Sequence, residues 1–215
     1  MNSFFKDRRE AGRELATLLA DYANRDDVIV LGLPRGGVPV AFEVASALGA
    51  ALDALIVRKL GVPSQPELAM GAIASGDAFY LDDRIVGYAG VSKPQLDAVI
   101  EGERAELARR EAMYRGSRPP LDTAGKVAIV VDDGMATGAT MRAAAMSLRN
   151  GGAAPARLIA ALPVAPLDAA SRFAEVVDSC VCVLQPRHFL GVGQFYIDFD
   201  QTSDDEVRAL LGLSA

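Results

Sequence analysis

Two adjacent carboxylates and two threonine hydroxyls lie close together in residues 127–140 of this sequence. Asp132 and Asp133 directly follow an apolar run, and a loop of small residues leads from them to Thr137 and Thr140. The apolar run predicts a buried strand, and the end of the loop predicts the start of a helix. Backbone N–H groups at a helix start bind phosphate, whereas the two carboxylates would repel it. We therefore expect the acids to accept hydrogen bonds from the vicinal sugar hydroxyls of a ligand whose phosphate the loop binds, as in a ribose 5-phosphate.

Five short apolar runs predict the strands that would hold this loop in place. Several of them are apolar at nearly every position, as strands covered on both faces are. The five runs are Val28–Leu33, Leu52–Val57, Val127–Val131, Leu158–Leu162 and Val181–Leu184. Segments of helical composition separate most of them, which predicts an α/β fold with a five-stranded parallel sheet flanked by helices. Sheets of this kind bind ligands at the carboxyl ends of their strands.

The helices are predicted from their composition and from their end signals. A glycine after an Ala-rich segment predicts a helix end, and Ser-x-x-Glu with acids in the first turn predicts a helix start. The predicted helices are Val38–Leu48, Thr140–Arg149, Pro166 to about Val177, and Asp204–Leu211.

An insertion of about seventy residues separates the second and third predicted strands, although a parallel crossover needs only about a dozen. Gly71–Leu81 predicts a short hairpin around Gly76-Asp77, and Ser92 with Gln95 predicts the capping box of a long helix. The pairs Glu106–Arg110 and Glu111–Arg115 have the spacing of helical ion pairs and favour a solvated helix face.

Residues 127–140 resemble the signature of the type I phosphoribosyltransferases, which is an apolar run, two acids, a short variable stretch and Thr-Gly-x-Thr. The overall layout resembles the members of that family known only as predicted phosphoribosyltransferases, including Pro66–Ala72 and the tail near Gly191–Asp198. The resemblance implies one phosphoribosyltransferase-like domain over residues 1–215 that binds 5-phosphoribosyl-1-pyrophosphate (PRPP). It assigns the ribose and its 5-phosphate to Asp132, Asp133, Gly134, Met135, Ala136, Thr137, Gly138, Ala139 and Thr140.

The same resemblance implies a site for the leaving pyrophosphate. The turn after the first strand resembles the family's pyrophosphate loop, and a basic pair follows the second strand where the family often has a lysine. The residues implied are Pro34, Arg35, Gly36, Gly37, Arg58 and Lys59. Arg35, Lys59, Asp132 and Asp133 would carry catalysis, and Mg²⁺ would arrive with PRPP near the two acids, with no protein ligand of the metal assigned.

The resemblance further implies a lid and a hood around the acceptor. The insertion, about residues 61–120, would supply a flexible loop, with Gln65–Gly71 and Tyr80–Tyr88 as candidates. The hood, about residues 185–200, would stack Phe189, Phe195 and Tyr196 on an aromatic acceptor, although ordinary packing is an equal interpretation of these aromatics.

One position departs from the family's best-known branch. The 6-oxopurine enzymes carry an Asp immediately before the Thr-Gly of the signature, and this chain has Ala136 there. The change disfavours hypoxanthine and guanine as acceptors and leaves the acceptor open. It also supports an alternative function, a regulatory protein that binds PRPP without turnover.

Composition excludes several other classes of protein. With 51% hydrophobic residues the chain is not disordered, and a net charge of −6 argues against general nucleic-acid binding. The charged start, without an apolar run of about 20 residues, predicts no signal peptide and no membrane span. We therefore expect a cytoplasmic enzyme with PRPP and an unknown acceptor as its small-molecule partners, and the family makes a homodimer an open alternative.

Overall fold

The computed structural model describes residues 4–76, 78–119 and 122–213, and within these residues it contains eight strands in two sheets. In chain order they are β1 (Val28–Gly32), β2 (Ala51–Ala54), β3 (Val57–Val62), β4 (Gln65–Ala74), β5 (Ala78–Leu81), β6 (Val127–Val131), β7 (Arg157–Val164) and β8 (Ser179–Leu184). The larger sheet is parallel throughout, with the order β2-β1-β6-β7-β8. The predicted five-stranded parallel sheet is thereby confirmed.

Helices pack on both faces of that sheet. They are α1 (Arg8–Thr17), α2 (Gly37–Leu48), α3 (Asp83–Tyr88), α4 (Lys93–Arg115), α5 (Ala139–Asn150), α6 (Ala169–Phe173) and α7 (Asp204–Leu210). The apolar side chains of α1 and α2 form one core cluster with β1 and β6, and those of α5 and α6 form another on the opposite face. Every residue of β1 and of β6 is buried, as their uninterrupted apolar sequences predict. None of the helices in the described part of the chain has the length and apolarity needed to span a membrane.

Local end signals account for the helix boundaries. Gly49 ends α2 in the left-handed conformation, with a φ of 65°, which glycine adopts at no steric cost. Ser92 and Gln95 form the predicted capping box of α4, and the Ser203 hydroxyl accepts the Glu206 N–H at the start of α7. The helix predicted from Pro166 is shorter than expected, because only Ala169–Phe173 is α-helical.

The insertion between β2 and β6 folds as a small antiparallel sheet with two helices. Its strand order is β3-β4-β5. The predicted hairpin over Gly71–Leu81 is confirmed, because β4 and β5 pair antiparallel from Gly71 opposite Leu81 to Ala74 opposite Ala78. β4 begins earlier, at Gln65, and its first part pairs with β3. The turn residue Gly76 has a φ of 77°, and Asp77 lies outside the described residues. The predicted second strand is too long, because the chain leaves the parallel sheet after Ala54 and enters β3 at Val57.

A buried ion pair joins this insertion to the parallel sheet. The Arg115 guanidinium, at the end of α4, donates to Asp53 Oδ2 on β2 at 3.1 Å and to the Ala54 carbonyl at 2.9 Å. Glu111 also accepts from Arg115, at 3.0 Å. The predicted pair Glu106–Arg110 forms, at 2.8 Å between partly exposed side chains. The prediction of a solvated helix face is wrong at Arg115, which is buried.

The N-terminal segment forms an element that the sequence interpretation missed. Asp7 caps α1 by accepting the Glu10 N–H at 2.8 Å. Just before it, the Phe5 N–H donates to the Phe195 carbonyl and the Ile197 N–H donates to the Phe5 carbonyl, both at 2.8 Å. The beginning of the chain is thus hydrogen-bonded to the segment that follows β8.

Candidate active site

The loops after β1 and β6 meet at the carboxyl ends of their strands, and two glycines make that contact possible. A Cβ on Gly36 would lie 2.7 Å from Asp133 Cγ, and a Cβ on Gly37 would lie 2.9 Å from the Asp132 Cα. Both distances are shorter than real Cβ contacts. The predicted pyrophosphate loop and the predicted acid pair are therefore in direct contact.

Asp133 is bound by a residue from the N-terminal helix. Arg8 Nε donates to Asp133 Oδ2 at 2.8 Å, and the two side chains are only 12% and 17% exposed. The Arg8 guanidinium also lies 4.0 Å from the centre of the Phe199 ring and donates to the Asp200 carbonyl at 2.7 Å. Burial raises the pKa of the Asp133 carboxyl, and the Arg8 charge opposes that rise. Arg8 therefore neutralises and orients one member of the acid pair.

Asp132 has a different environment. Its Oδ1 accepts the Asp133 N–H at 2.9 Å, and within the described residues no cation forms an ion pair with it. Burial, and after it the nearby Asp133 charge, raise the pKa of Asp132 well above its usual range. Asp132 is thus the acid whose negative charge is least compensated by the protein, and donors from a ligand would stabilise that charge.

The loop from Gly134 to Gly138 leads from the acids to the N-terminus of α5. Gly138 has a φ of 79°, and the Ala139 N–H at the helix start donates to Thr137 Oγ1 at 3.4 Å, while Thr137, Ala139 and Thr140 are exposed. The Thr137 and Thr140 hydroxyls are thus accessible beside backbone N–H groups that have no partner within the helix.

Met135 does not suit the phosphate role given to it. Its side chain is buried in the core, and its N–H donates to the Val164 carbonyl at 2.9 Å. Gly134 is also enclosed, because a Cβ there would lie 3.0 Å from Val164 Cγ1. The accessible part of the predicted phosphate loop is therefore Ala136 to Thr140.

Arg35 extends from the pyrophosphate loop towards α4 and α7. The Pro34–Arg35 peptide bond is cis, and Arg35 Nη1 lies 3.7 Å from Asp204 Oδ1 with both side chains partly exposed. The Gly37 N–H donates to the Leu33 carbonyl at 3.0 Å. A cleft of about 380 Å³ beside the loop is lined by Arg35, Arg109 and Arg110.

Arg58 and Lys59 were predicted to follow the end of a parallel strand. The structure instead places both within β3 of the small antiparallel sheet. Arg58 Nε donates to Glu103 Oε2 on α4 at 2.6 Å. Lys59 is opposite Ala72 in the β3–β4 ladder. The structure therefore places Arg58 in the packing of the insertion.

The lid candidates lie in regular structure. Gln65–Gly71 belongs to β4, and Tyr80–Tyr88 spans the end of β5 and α3. The Tyr88 side chain is nevertheless exposed. Closure of this region over a ligand stays a prediction.

The hood aromatics divide into two groups. Phe195 and Tyr196 are buried in a cluster with Phe5, and the Tyr196 hydroxyl donates to the Asp133 carbonyl oxygen at 2.6 Å. Phe189 stacks on Phe195 with ring centres 5.6 Å apart and lines a cleft that also contains Ala136. Of the three aromatics, only Phe189 is positioned to contact an acceptor in that cleft.

Sequence reasoning missed Arg8 as a site residue. The pattern Asp7-x-x-Glu10 is a helix-start signal and would have located α1. No local pattern connects Arg8 with an acid 125 positions away. Only the folded chain reveals this contact.

Comparison with known proteins agrees with this geometry. The family model described as the phosphoribosyl transferase domain matches residues 5–200. A Mycobacterium tuberculosis protein provisionally named a phosphoribosyl transferase is 49% identical over 207 residues, covering 96% of this chain and 46% of the relative. The chain thus spans about half the length of the curated relatives it matches. The crystal structure of TT1426 from Thermus thermophilus is 39% identical, with a TM-score of 0.85 and 97% of each chain covered. The family match over residues 5–200, together with the geometry of the site, shows that the chain belongs to the phosphoribosyl transferase family.

Proposed function

We propose that this chain is a phosphoribosyltransferase, which transfers the 5-phosphoribosyl group of PRPP to a small-molecule acceptor and releases pyrophosphate. The observation that carries the proposal is the contact of Gly36 and Gly37 with the Asp132–Asp133 pair, beside the start of α5. Family membership supports the same reaction class. PRPP has a phosphate, a sugar diol and a diphosphate, and each of them has a matching group here.

The 5-phosphate fits the start of α5. The N–H groups of a first helical turn and the positive end of a helix favour a dianion, and the Thr137 and Thr140 hydroxyls add donors, although Thr137 already accepts the Ala139 N–H at 3.4 Å. The left-handed Gly138 turns the chain from the accessible loop into the helix.

The sugar hydroxyls fit Asp132. Its carboxylate has a raised pKa because it is buried, and hydroxyl donors would stabilise its charged form. Asp133, held by Arg8, has one oxygen already committed. We therefore assign Asp132 as the main diol acceptor and Asp133 as a weaker one.

Mg²⁺ is the cofactor that the family implies, and the donor set fits a metal that arrives with the substrate. Within the described residues, no group of three or more His, Cys, Asp or Glu side chains could hold an ion. Mg²⁺ commonly uses one or two carboxylates together with substrate phosphates and waters, and Asp132 with Asp133 would supply the carboxylates. When bound, the metal would neutralise charge on the diphosphate.

The transfer itself is a displacement at the anomeric carbon of the ribose. A lone pair of the acceptor forms the bond to that carbon, and the bond from the carbon to the diphosphate oxygen breaks with its electron pair leaving on the diphosphate. The N–H groups of the loop after β1 other than that of Gly37, which donates to the Leu33 carbonyl, would bind the departing charge. Arg35, in only a long ion pair with Asp204, would add a cation.

The proposal is tested by titrating PRPP with Mg²⁺ into the protein in a calorimeter and by measuring pyrophosphate release with a panel of bases, amines and aromatic acids. Losing a charge-assisted hydrogen bond costs ~1.5–3 kcal/mol, so Asp132→Asn should weaken PRPP binding by about ten- to a hundred-fold. Asp26→Asn, an exposed carboxylate remote from the site, is the control. Equal PRPP affinity for parent and Asp132→Asn would refute the diol assignment.

The panel also separates the enzyme from the regulatory alternative. PRPP binding without pyrophosphate release for any acceptor would favour a PRPP-binding regulatory protein. The observation behind that alternative is Ala136, which offers no carboxylate for proton transfer at a purine. We accordingly expect negligible turnover with hypoxanthine and guanine.

A further inference from the structure

A second cleft lies beside the proposed PRPP site. It has a volume of about 380 Å³ and is bordered by the loops after three neighbouring strands, β6, β7 and β8. Ala136 of the phosphate loop forms one wall. A molecule in this cleft would therefore contact the same loop that binds the ribose phosphate.

Large apolar side chains around this cleft are exposed to solvent. Leu167 is 60% exposed and Leu190 is 95% exposed, and both line the cleft with Phe189. Phe189 is held in place by its stack on Phe195, at an interplanar angle of 14°. Exposed apolar groups gathered in one concave site indicate a ligand with an apolar or aromatic body.

The charge of the cleft is positive. Arg187 lines it and has no ion-pair or hydrogen-bond partner within residues 4–76, 78–119 and 122–213. Arg172 lines it as well, but its guanidinium is held by Asp168 at 2.9 Å and by the Ala136 carbonyl at 3.3 Å. Since no carboxylate lines the cleft, Arg187 is an uncompensated cation facing the ligand space.

We propose that this cleft binds the acceptor and that the acceptor is a small aromatic or alicyclic carboxylate carrying a nucleophilic nitrogen. The inference rests on the proposed function and adds the chemical class of the second substrate. Arg187 binds the carboxylate, while Leu167, Phe189 and Leu190 cover the ring. The nitrogen lone pair forms the bond to the anomeric carbon, and the diphosphate leaves with the electrons of the broken bond. An amine nitrogen then loses a proton to water, whereas a pyridine nitrogen has none to lose and stays in the product as a pyridinium.

The test compares acids with their neutral amides on the PRPP-loaded protein. The probes are nicotinate with nicotinamide, 2-aminobenzoate with 2-aminobenzamide, and guanine, each titrated by calorimetry at saturating PRPP and Mg²⁺. We expect at least one acid to bind about tenfold or more tightly than its amide and than guanine. Arg187→Gln should weaken acid binding about ten- to a hundred-fold and so remove the preference over the amide, while Arg187→Lys should retain part of it.

Arg157→Gln is the control, because Arg157 is an exposed arginine at the opposite end of β7. It should leave the acid-to-amide ratio unchanged. Three outcomes would each overturn this inference and leave the proposed function standing. They are an amide that binds as well as its acid, a preference for the acid over the amide that survives Arg187→Gln, and PRPP binding with none of the acids bound. Failure of PRPP itself to bind, measured first, would overturn both.

Discussion

Replacing Gly36 with alanine should disrupt the candidate active site from within the pyrophosphate loop. The new Cβ would lie 2.7 Å from Asp133 Cγ and 3.2 Å from Arg8 Nε. Since an ordinary contact is 3.4 Å or more, the carboxylate must move, and the 2.8 Å bond between Arg8 and Asp133 must lengthen or break. One methyl group therefore perturbs the loop, the acid and its cation at once.

The expected magnitude combines two terms. Overpacking in a filled site costs ~1–3 kcal/mol, and losing a hydrogen bond between largely buried charged groups costs ~1.5–3 kcal/mol. Because one movement relieves part of both, we expect Gly36→Ala to lower the free energy of unfolding by about 3 kcal/mol. In a chain of this size that corresponds to roughly 6–12 °C in the unfolding temperature.

The assay is thermal unfolding followed by PRPP calorimetry on the folded variant. Gly152→Ala is the matched control, because a Cβ at that exposed glycine would meet nothing within 4 Å. We expect Gly36→Ala to weaken PRPP binding at least tenfold and the control to leave it unchanged. The reasoning fails if both glycine variants unfold at the same temperature and bind PRPP equally well.

Three other predictions follow from described contacts. Burial raises the pKa of Asp132 in the folded state above the unfolded value of about 3.9, so the folded state keeps this proton to a higher pH than the unfolded state does. The free energy of unfolding therefore falls as the pH rises from about 4 through the raised pKa. Asp132→Asn should therefore unfold at a higher temperature than the parent at pH 7, with the gap closing towards pH 4; a less stable variant at pH 7 would contradict this. Arg115→Ala, which breaks the buried pair with Asp53, should lower the free energy of unfolding in urea by about 3–5 kcal/mol. Exposed Arg109→Ala should lower it by about 1 kcal/mol or less. Equal losses for the two variants would refute the argument that the Arg115–Asp53 pair is buried and stabilising. Amide exchange across Gln65–Tyr88 should slow when PRPP and Mg²⁺ bind, and unchanged exchange with PRPP bound would indicate a static subdomain.

The sequence predicted those features whose signals are local. All-apolar runs located β1 and β6 because strands covered on both faces need no polar side chain. The Ser92–Gln95 capping box and the glycine after α2 fixed helix ends because their hydrogen bonds lie within a few residues. The acid pair and the Thr137–Thr140 loop were predicted in the same way, as neighbours along one strand–loop–helix unit.

Long-range contacts could not be predicted in this way. Leu55 and Ile56 are as apolar as a strand interior, so the sequence did not show that the chain leaves the parallel sheet after Ala54 and takes Arg58 into another sheet. Arg115 matches a surface ion-pair pattern, yet it is buried against Asp53, 62 positions away. Such contacts depend on tertiary packing, which local periodicity does not encode.

The pairing of the N-terminal segment with the chain after β8 constrains the order in which the site is assembled during synthesis. Phe5 and Arg8 are made about 190 residues before their partners Phe195, Ile197 and Asp200. At a synthesis rate of ~5–20 residues per second, the N-terminal segment waits roughly 10–40 s for them. The Arg8–Asp133 pair thus lacks its support from the later segment until Asp200 has been made, and a nascent chain halted before residue 195 should not bind PRPP tightly.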